Sequence, residues 1–166
     1  MNKIIQFLLV TIFLNSCSNI SNKNNFQDNS INYNQLNQFV RDSLPQFVLI
    51  DEKYLDIVDL WDAKPVIEST LQIISKDSKT LPFFFESLRL EIEKIQIEQI
   101  PYDLKVPQIV GRFRVYKTQI LKISETQKNN LNLNLYKQNL LDLVKSYNAL
   151  VNMLNIISRD IDQKSK

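Results

Sequence analysis

Apolar residues recur at alternating intervals of three and four positions over most of the chain beyond residue 45. This spacing places side chains on one face of an α-helix, so each set predicts an amphipathic helix with one buried stripe. In chain order the sets are Phe47, Ile50, Tyr54, Ile57 and Trp61; Leu81, Phe85, Leu88, Ile92 and Ile95; Ile109, Phe113, Tyr116, Ile120 and Ile123; and Leu133, Tyr136, Leu140, Leu143, Tyr147, Leu150, Leu154, Ile157 and Ile161.

The last set is the longest and predicts a helix from Leu131 to Asp162. At 1.5 Å per residue this helix is about 50 Å long. Val144 and Val151 widen its apolar stripe, so we expect it to pack against more than one neighbour. The same spacing permits an intermolecular coiled coil, although the other helices of the chain compete for this stripe.

Prolines separate the predicted helices. Pro45 and Pro65 bracket the first set, and a shorter helix is predicted over residues 66–74. Pro82 falls in a first helical turn, where the missing N–H costs little. The one competing strand signal is the run from Phe47 to Ile50, which periodicity alone cannot assign.

Two connections follow from the remaining turn signals. Pro101 and Pro107 frame an irregular segment, because a residue that precedes proline is pushed out of the α region. Lys128-Asn129-Asn130 predicts a tight turn between antiparallel helices. The pattern therefore predicts an all-α fold, an antiparallel bundle of four to five helices over residues 35–166 with a long C-terminal helix, which includes the hairpin from Pro107 to Asp162.

The first residues have a different character. Lys3 precedes an apolar stretch from Ile4 to Leu14 that only Gln6 and Thr11 interrupt. A bilayer-spanning helix needs about 20 apolar residues, so this stretch favours a secretory signal over a membrane span.

The stretch ends in Leu14-Asn15-Ser16-Cys17, which resembles the lipobox of bacterial lipoproteins, with Asn15 as a less typical residue. The resemblance implies that residues 1–16 are a signal peptide and that Cys17 receives a diacylglycerol and an amide-linked fatty acid. The alternative is an uncleaved signal anchor with an incidental cysteine. Cys17 is the only cysteine, which excludes an internal disulfide and favours the lipid interpretation.

Two further features bear on location. Ser18 follows the cysteine where enterobacterial lipoproteins of the inner membrane carry aspartate, which points to the outer membrane in a diderm host. Residues 18–34 are rich in Asn and Ser, and with Cys17 they predict a flexible tether that holds the domain about 20–25 Å from the membrane. The run from Pro45 to Leu60 resembles small lipoproteins of Bacteroidetes, a resemblance that implies an outer membrane but no activity.

Composition and charge narrow the picture. One Gly and five Pro argue against a turn-rich β-sandwich or barrel. Residues 17–104 carry 8 basic and 14 acidic side chains, a net charge of −6, whereas residues 105–166 carry 11 basic and 4 acidic ones, a net charge of +7. Either the two halves complement each other within the bundle, or the basic residues face anionic lipid or an acidic partner. Those basic residues are Arg112, Arg114, Lys117 and Lys122.

The inventory of reactive side chains is small. The chain has no histidine, its one thiol is assigned to the lipid, and Gly111 is its only glycine. These facts argue against Ser–His and Cys–His catalysis, Cys/His zinc sites and Gly-rich phosphate loops. Asp56, Asp59 and Asp62 share a rough helical face that offers oxygen ligands to calcium or is simply solvated. We therefore expect no catalytic residue, metal or cofactor.

Three aromatic or glycine features remain. Phe83-Phe84-Phe85 spreads aromatics at 100° intervals, so either one stays exposed for a partner or all three close the end of the bundle. Trp61 falls on a core stripe, where packing is favoured over ligand stacking. Gly111 marks a helix start or, as we favour, a close approach of two helices.

These observations predict a lipid-anchored, non-catalytic interaction or structural module of the cell envelope. Its expected contacts are membrane lipid through Cys17 and an envelope protein, with Phe83, Phe84, Arg112 and Arg114 as candidate contact residues. An exported protein rarely meets nucleic acid, so none is expected. The alternative is a lipoprotein that binds a small apolar or anionic ligand in a pocket between its helices.

Overall fold

The computed structural model describes residues 32–128 and 132–166, which fold entirely as helices and connections. Within these ranges 78% of the residues are helical and no β-strand occurs, which confirms the predicted all-α fold. The helices are α1 (Tyr33–Ser43), α2 (Leu55–Val58), α3 (Lys64–Ile74), α4 (Leu81–Lys94), α5 (Pro107–Lys128) and α6 (Leu133–Lys164), with 3-10 turns at Glu52–Tyr54, Ile97–Gln99 and Tyr102–Leu104. The signal peptide, Cys17, most of the tether, and Asn129 and Asn130 of the predicted turn lie outside the described residues.

The hairpin of α5 and α6 forms the centre of the bundle. Asn139 Nδ2 donates a hydrogen bond to Thr126 Oγ1 at 2.7 Å, and the rings of Tyr116 and Tyr147 lie 6.4 Å apart. As the residue number falls on α5 it rises on α6, so the helices are antiparallel. The stripe of α5 is buried as predicted, and so is that of α6, apart from Leu133, Ile157 and Ile161, which pack against its edge.

Helix α4 packs antiparallel to α5 through polar contacts as well as apolar ones. Ser124 Oγ donates to Glu86 Oε2 at 2.6 Å. Further along, Lys117 Nζ donates to the backbone oxygens of Ile95 at 2.8 Å and Glu93 at 3.3 Å. The last carbonyls of a helix have no backbone N–H partner within that helix, so Lys117 caps the C-terminal end of α4. This basic residue therefore stabilises the bundle through a helix end.

Helix α3 joins the bundle through a buried hydroxyl pair. The hydroxyls of Thr70 and Tyr116 are hydrogen-bonded to each other, and Thr70 Oγ1 also donates to the backbone oxygen of Val66 at 3.2 Å. Both side chains are fully buried. A buried hydroxyl without a partner is costly, so this pair fixes how α3 lies against α5.

The first predicted helix is wrong over residues 45–51. These residues form an extended segment, here called the strap, and only residues 55–58 of the set are α-helical. The predicted stripe still faces inward, because Tyr54 and Trp61 are buried and Phe47 packs on Tyr147 at 5.4 Å between ring centroids. Burial was therefore predictable, but the backbone conformation was not.

Two asparagines of α6 hold the strap. Asn148 accepts from the backbone N–H of Val48 and donates to the backbone oxygen of Gln46, at 2.9 and 2.8 Å. Asn155 does the same for the N–H of Asp51 and the oxygen of Leu49, each at 2.9 Å. Each carboxamide thus satisfies one backbone donor and one backbone acceptor, which the strap would otherwise leave without a helical or sheet partner.

The spacing of these contacts explains why they repeat. Seven residues along α6 advance about 10.5 Å, or two turns. Three residues of an extended chain advance about 9–10 Å. The bonded strap residues shift by three, from Gln46 and Val48 to Leu49 and Asp51, while the asparagines shift by seven. The two periods match, so one helix face can hold an extended strap running in the same direction.

Helix α1 was not predicted. Asn32 caps it, since its Oδ1 accepts from the backbone N–H of Gln35 at 3.2 Å. Leu36 is fully buried, and Phe39 and Val40 pack against the core. The helix begins at Tyr33, one residue before the predicted end of the tether at Asn34.

Gly111 does not mark a close approach of helices. It lies in the exposed part of α5, and an added Cβ would meet nothing within 4 Å. The expectation of helix–helix contact at this position is therefore wrong. Glycine inside a helix costs about 1 kcal/mol relative to alanine, and no packing in the described structure requires it.

We expect Asn148→Ala and Asn155→Ala each to lower the free energy of unfolding by about 1–2 kcal/mol. Each removes two hydrogen bonds to the strap and leaves backbone groups unpaired, which outweighs the higher helix propensity of alanine. Urea-induced unfolding measures the change.

Asn152→Ala is the matched control. Asn152 lies on the same helix and is exposed, and its side chain makes no hydrogen bond with the described residues. Its replacement should leave stability unchanged or raise it by about 0.5 kcal/mol. Equal effects of all three substitutions would contradict the role assigned to the strap contacts.

Candidate functional site

The three consecutive phenylalanines at the start of α4 have three different environments. Phe85 is fully buried, and Phe84 is half-buried beneath the ammonium of Lys76, 4.0 Å from the ring centroid. Phe83 is 80% exposed. One helical turn cannot point three adjacent side chains into the same core, so the structure leaves one aromatic ring in solvent.

Phe83 does not stand alone on its helix face. Ser87 and Leu90 follow at intervals of four and three residues, and Leu90 is 49% exposed. These three residues, here called the α4 stripe, form an outward face of large apolar groups with one small polar residue between them. The opposite face of α4 is buried and carries Leu81, Phe85, Leu88 and Ile92.

Arg112 and Arg114 lie elsewhere. Arg112 is half-buried and its Nη1 donates to the backbone oxygen of Gln108 at 3.1 Å, whereas Arg114 is exposed. Lys117 contacts the end of α4, so both arginines lie beyond that end. At 1.5 Å per residue, Phe83 is roughly 20 Å away along the bundle axis. The structure does not bring the four predicted contact residues into one surface.

The acidic residues that suggested calcium also stay apart. Helix α2 ends at Val58, so Asp59 and Asp62 do not continue the helical face of Asp56. Asp59 instead pairs with Lys64 at 2.7 Å. In the described ranges, Asp, Glu, His and Cys side chains nowhere gather in threes in an arrangement suited to a metal ion.

Several clefts open on the bundle surface, and two of them are lined in part by residues of α6. The larger, about 600 Å³, lies between the turn at Tyr102 and the end of α6 and is open to solvent. The second, about 290 Å³, lies between the strap and α3, and Tyr147 lines it. Arg112 and Arg114 line neither cleft. We call the second the Tyr147 cleft.

Tyr147 has an unusual environment for a buried tyrosine. It is only 2% exposed, and burial, with the charge of Glu68 as a smaller cause, raises its pKa to about 12. Tyr116 beside it is bonded to Thr70, but the Tyr147 hydroxyl makes no hydrogen bond with any described residue. Its hydroxyl therefore stays protonated and available to donate and accept.

Comparison with known proteins adds no relative: no family model, no curated protein and no solved structure matches this chain. In residues 32–128 and 132–166 no helix has the length and apolar content of a bilayer span. The function is therefore argued from the surface of the bundle and from the sequence before it.

Sequence reasoning missed the Tyr147 cleft and the strap contacts. Asn148 and Asn155 are seven residues apart on one helical face, a spacing visible in the sequence. Tyr147 was assigned only to the core stripe, and Glu68 was not singled out. Nothing in the local pattern indicates that the strap lies along α6 beside Tyr147, because its contacts, such as that of Val48 with Asn148, join residues 100 positions apart.

Buried tyrosines make the fold sensitive to alkaline pH. The folded pKa of Tyr147 is about 12 and burial raises that of Tyr116 as well, whereas an unfolded tyrosine has a pKa near 10. The unfolded state therefore releases these protons first. We expect the free energy of unfolding to fall above pH ~10, by up to about 1.4 kcal/mol per pH unit for each tyrosine.

Urea unfolding between pH ~9 and ~11 measures this slope. Tyr147→Phe should reduce it, because one of the two protons is then absent from both states. Tyr102→Phe is the control, since Tyr102 is 92% exposed and its loss should leave the slope unchanged. A slope that is identical in all three proteins would contradict the assignment.

Proposed function

We propose that this protein is a lipid-anchored, non-catalytic helical module of the cell envelope that binds a protein partner through the α4 stripe. In a diderm host its membrane is the outer membrane. The observation that carries the proposal is the exposure of Phe83, 80% of whose surface remains in solvent on a regular helix. A partner that buries this ring gains about 2 kcal/mol from its apolar surface.

The α4 stripe differs from the other exposed apolar positions. Phe83 and Leu90 share one face, two turns apart, with only the small side chain of Ser87 between them. Val115 on α5 has no such neighbour, and Leu135 and Ile156 on α6 are 21 residues apart, about 30 Å along the helix. Isolated apolar residues are ordinary on protein surfaces, whereas aromatic anchors on a continuous face are typical of interfaces.

The anchor is supported by the N-terminal pattern. A short apolar stretch ends at Leu14-Asn15-Ser16-Cys17, and Cys17 is the only cysteine of the chain. Two or more acyl chains hold a protein stably on a bilayer, whereas a single chain binds reversibly. A lipidated Cys17 would thus place the bundle beside the membrane without a spanning helix.

The alternative of a pocket for an apolar or anionic ligand at the basic hairpin has less support. Arg112 bonds within its own helix and Lys117 caps α4. Lys122 lies 3.8 Å from Asp142. Of the basic residues expected to face a ligand or lipid, Arg114 is the one that remains fully exposed without an ion pair in the described structure.

The anchor is tested by feeding cells an alkyne-tagged fatty acid and isolating the protein. We expect label on the wild type and on Ser18→Ala, which leaves the lipobox intact, and none on Cys17→Ser. The unlabelled variant should also leave the membrane fraction. Label on Cys17→Ser, or none on the wild type, would rule out lipidation at this residue.

The α4 stripe is tested with a photoactivatable phenylalanine analogue at position 83, and at position 102 as a control. Both sites are exposed, at 80% and 92%, but they lie on different parts of the bundle. Irradiated membranes should yield a discrete crosslinked protein from position 83 only. A second substitution, Leu90→Ser, should weaken that product because it removes the other apolar group of the stripe.

Absence of a crosslink from position 83 in membranes, or the same products from positions 83 and 102, would refute this surface. The crosslink does not depend on the anchor experiment, so the two parts of the proposal fail separately.

A further inference from the structure

The Tyr147 cleft is formed by elements from distant parts of the chain. Leu49 of the strap and Leu55 at the start of α2 form one wall, and Leu71 of α3 forms the other. Tyr147 lines the base from α6. At about 290 Å³ the cleft falls at the lower end of ligand pockets, which suits a short, chain-like molecule.

The strap wall is fixed in place. Asn155 Nδ2 donates to the backbone oxygen of Leu49, and Asn155 Oδ1 accepts from the N–H of Asp51, both at 2.9 Å. The side chain of Leu49 is nevertheless 62% exposed, because it stands at the mouth of the cleft. A rigid apolar wall loses little conformational freedom when a ligand covers it, which favours binding.

The charged residues at the cleft have one predominant sign. Glu52 and Glu68 both line it. Lys64 lies 3.1 Å from Glu68 but is also shared with Asp59 at 2.7 Å, so one ammonium is divided between two carboxylates. Lys53 is bound to Asp162 at 3.2 Å instead. Together, the side chains of Glu52, Glu68, Asp59 and Lys64 carry a net charge of −2, which repels anions and attracts cations.

A polar group at the base of the cleft also lacks a partner. The Tyr147 hydroxyl makes no hydrogen bond with the described residues, although the ring around it is almost wholly buried. The hydroxyl oxygen itself is not wholly buried, so it is accessible from the cleft that Tyr147 lines. Its oxygen is able to accept a hydrogen bond from a donor that enters between Glu68 and the leucines.

We propose that the Tyr147 cleft binds an alkylammonium group, with the alkyl chain against Leu49, Leu55 and Leu71 and the ammonium between Glu68 and the Tyr147 hydroxyl. Such a group occurs in a free aliphatic amine and in the side chain of lysine on another protein. A fatty acid has the same apolar chain but the wrong charge. The site is separate from the α4 stripe and does not depend on it.

The binding experiment uses the full chain, with labelled leucine methyl groups, in nanodiscs of zwitterionic lipid. The probes are hexylammonium, hexanoate, hexanol and Nα-acetyl-lysine-methylamide, which presents a lysine side chain. Hexylammonium should shift the methyl signals of Leu55 and Leu71 saturably, with a Kd on the order of millimolar, as expected for so small a ligand. Hexanoate and hexanol report partitioning into lipid. They should bind at least about 5-fold more weakly than hexylammonium, a difference of about 1 kcal/mol in binding free energy.

Two variants test the polar contacts. Glu68→Gln should weaken hexylammonium binding by about 5-fold or more and leave hexanol unchanged, because only the charge differs. Tyr147→Phe should weaken it less, since one hydrogen bond is lost. Glu98→Gln is the control, because Glu98 is an exposed residue that does not line the cleft.

The outcomes separate the sources and decide the proposal. Binding of hexylammonium alone assigns the cleft to a free aliphatic amine, whereas binding of both cationic probes shows that it also accepts a lysine side chain; either result supports the proposal. Hexanoate binding as tightly as hexylammonium, equal affinity of Glu68→Gln and wild type, or the absence of a saturable shift would overturn it.

Discussion

The arrangement of the bundle depends on the burial of α6 on two sides. This helix carries 32 residues, and its apolar stripe is widened by Val144 and Val151, both fully buried. Helix α5 covers one side of the stripe, while α1, α2, the strap and the 3-10 turn at Tyr102–Leu104 cover the rest. Each buried Leu or Val contributes about 1.5–3 kcal/mol, so burial on this scale dominates the stability of so small a domain.

The segment that covers the second side of α6, the strap, needs partners for its backbone groups. A segment that crosses the exposed flank of α6 must satisfy its own backbone groups, because it has neither a helix nor a sheet partner. Asn148 and Asn155 supply both donor and acceptor at the repeat of the helix. The same contacts fix Leu49 and thereby shape the wall of the Tyr147 cleft. The contacts that satisfy the backbone of the strap thus also shape a cleft on the bundle surface.

Charged side chains of both halves of the chain make contacts within the bundle. Lys117 caps α4, and Arg89 on α4 bridges Glu86 and Glu93 at 2.6 and 2.7 Å. Exposed ion pairs of this kind contribute little individually, but lysine at a helix end adds a favourable interaction with the helix dipole. The apolar α4 stripe and the acidic Tyr147 cleft have no role inside the fold as described, and these carry the two proposed interactions.

The sequence by itself determined the helical class, the buried apolar faces of α4, α5 and α6, and the connection between Pro101 and Pro107. Local periodicity and proline report directly on helical faces and ends. It also correctly placed Tyr54 and Trp61 inside. Only the tertiary structure decided that residues 45–51 are extended, that Gly111 is exposed, and that Phe83 rather than Phe84 remains in solvent. Each of these depends on contacts with residues distant in the chain, such as Asn148 on the strap and Lys76 over Phe84, which local periodicity does not encode.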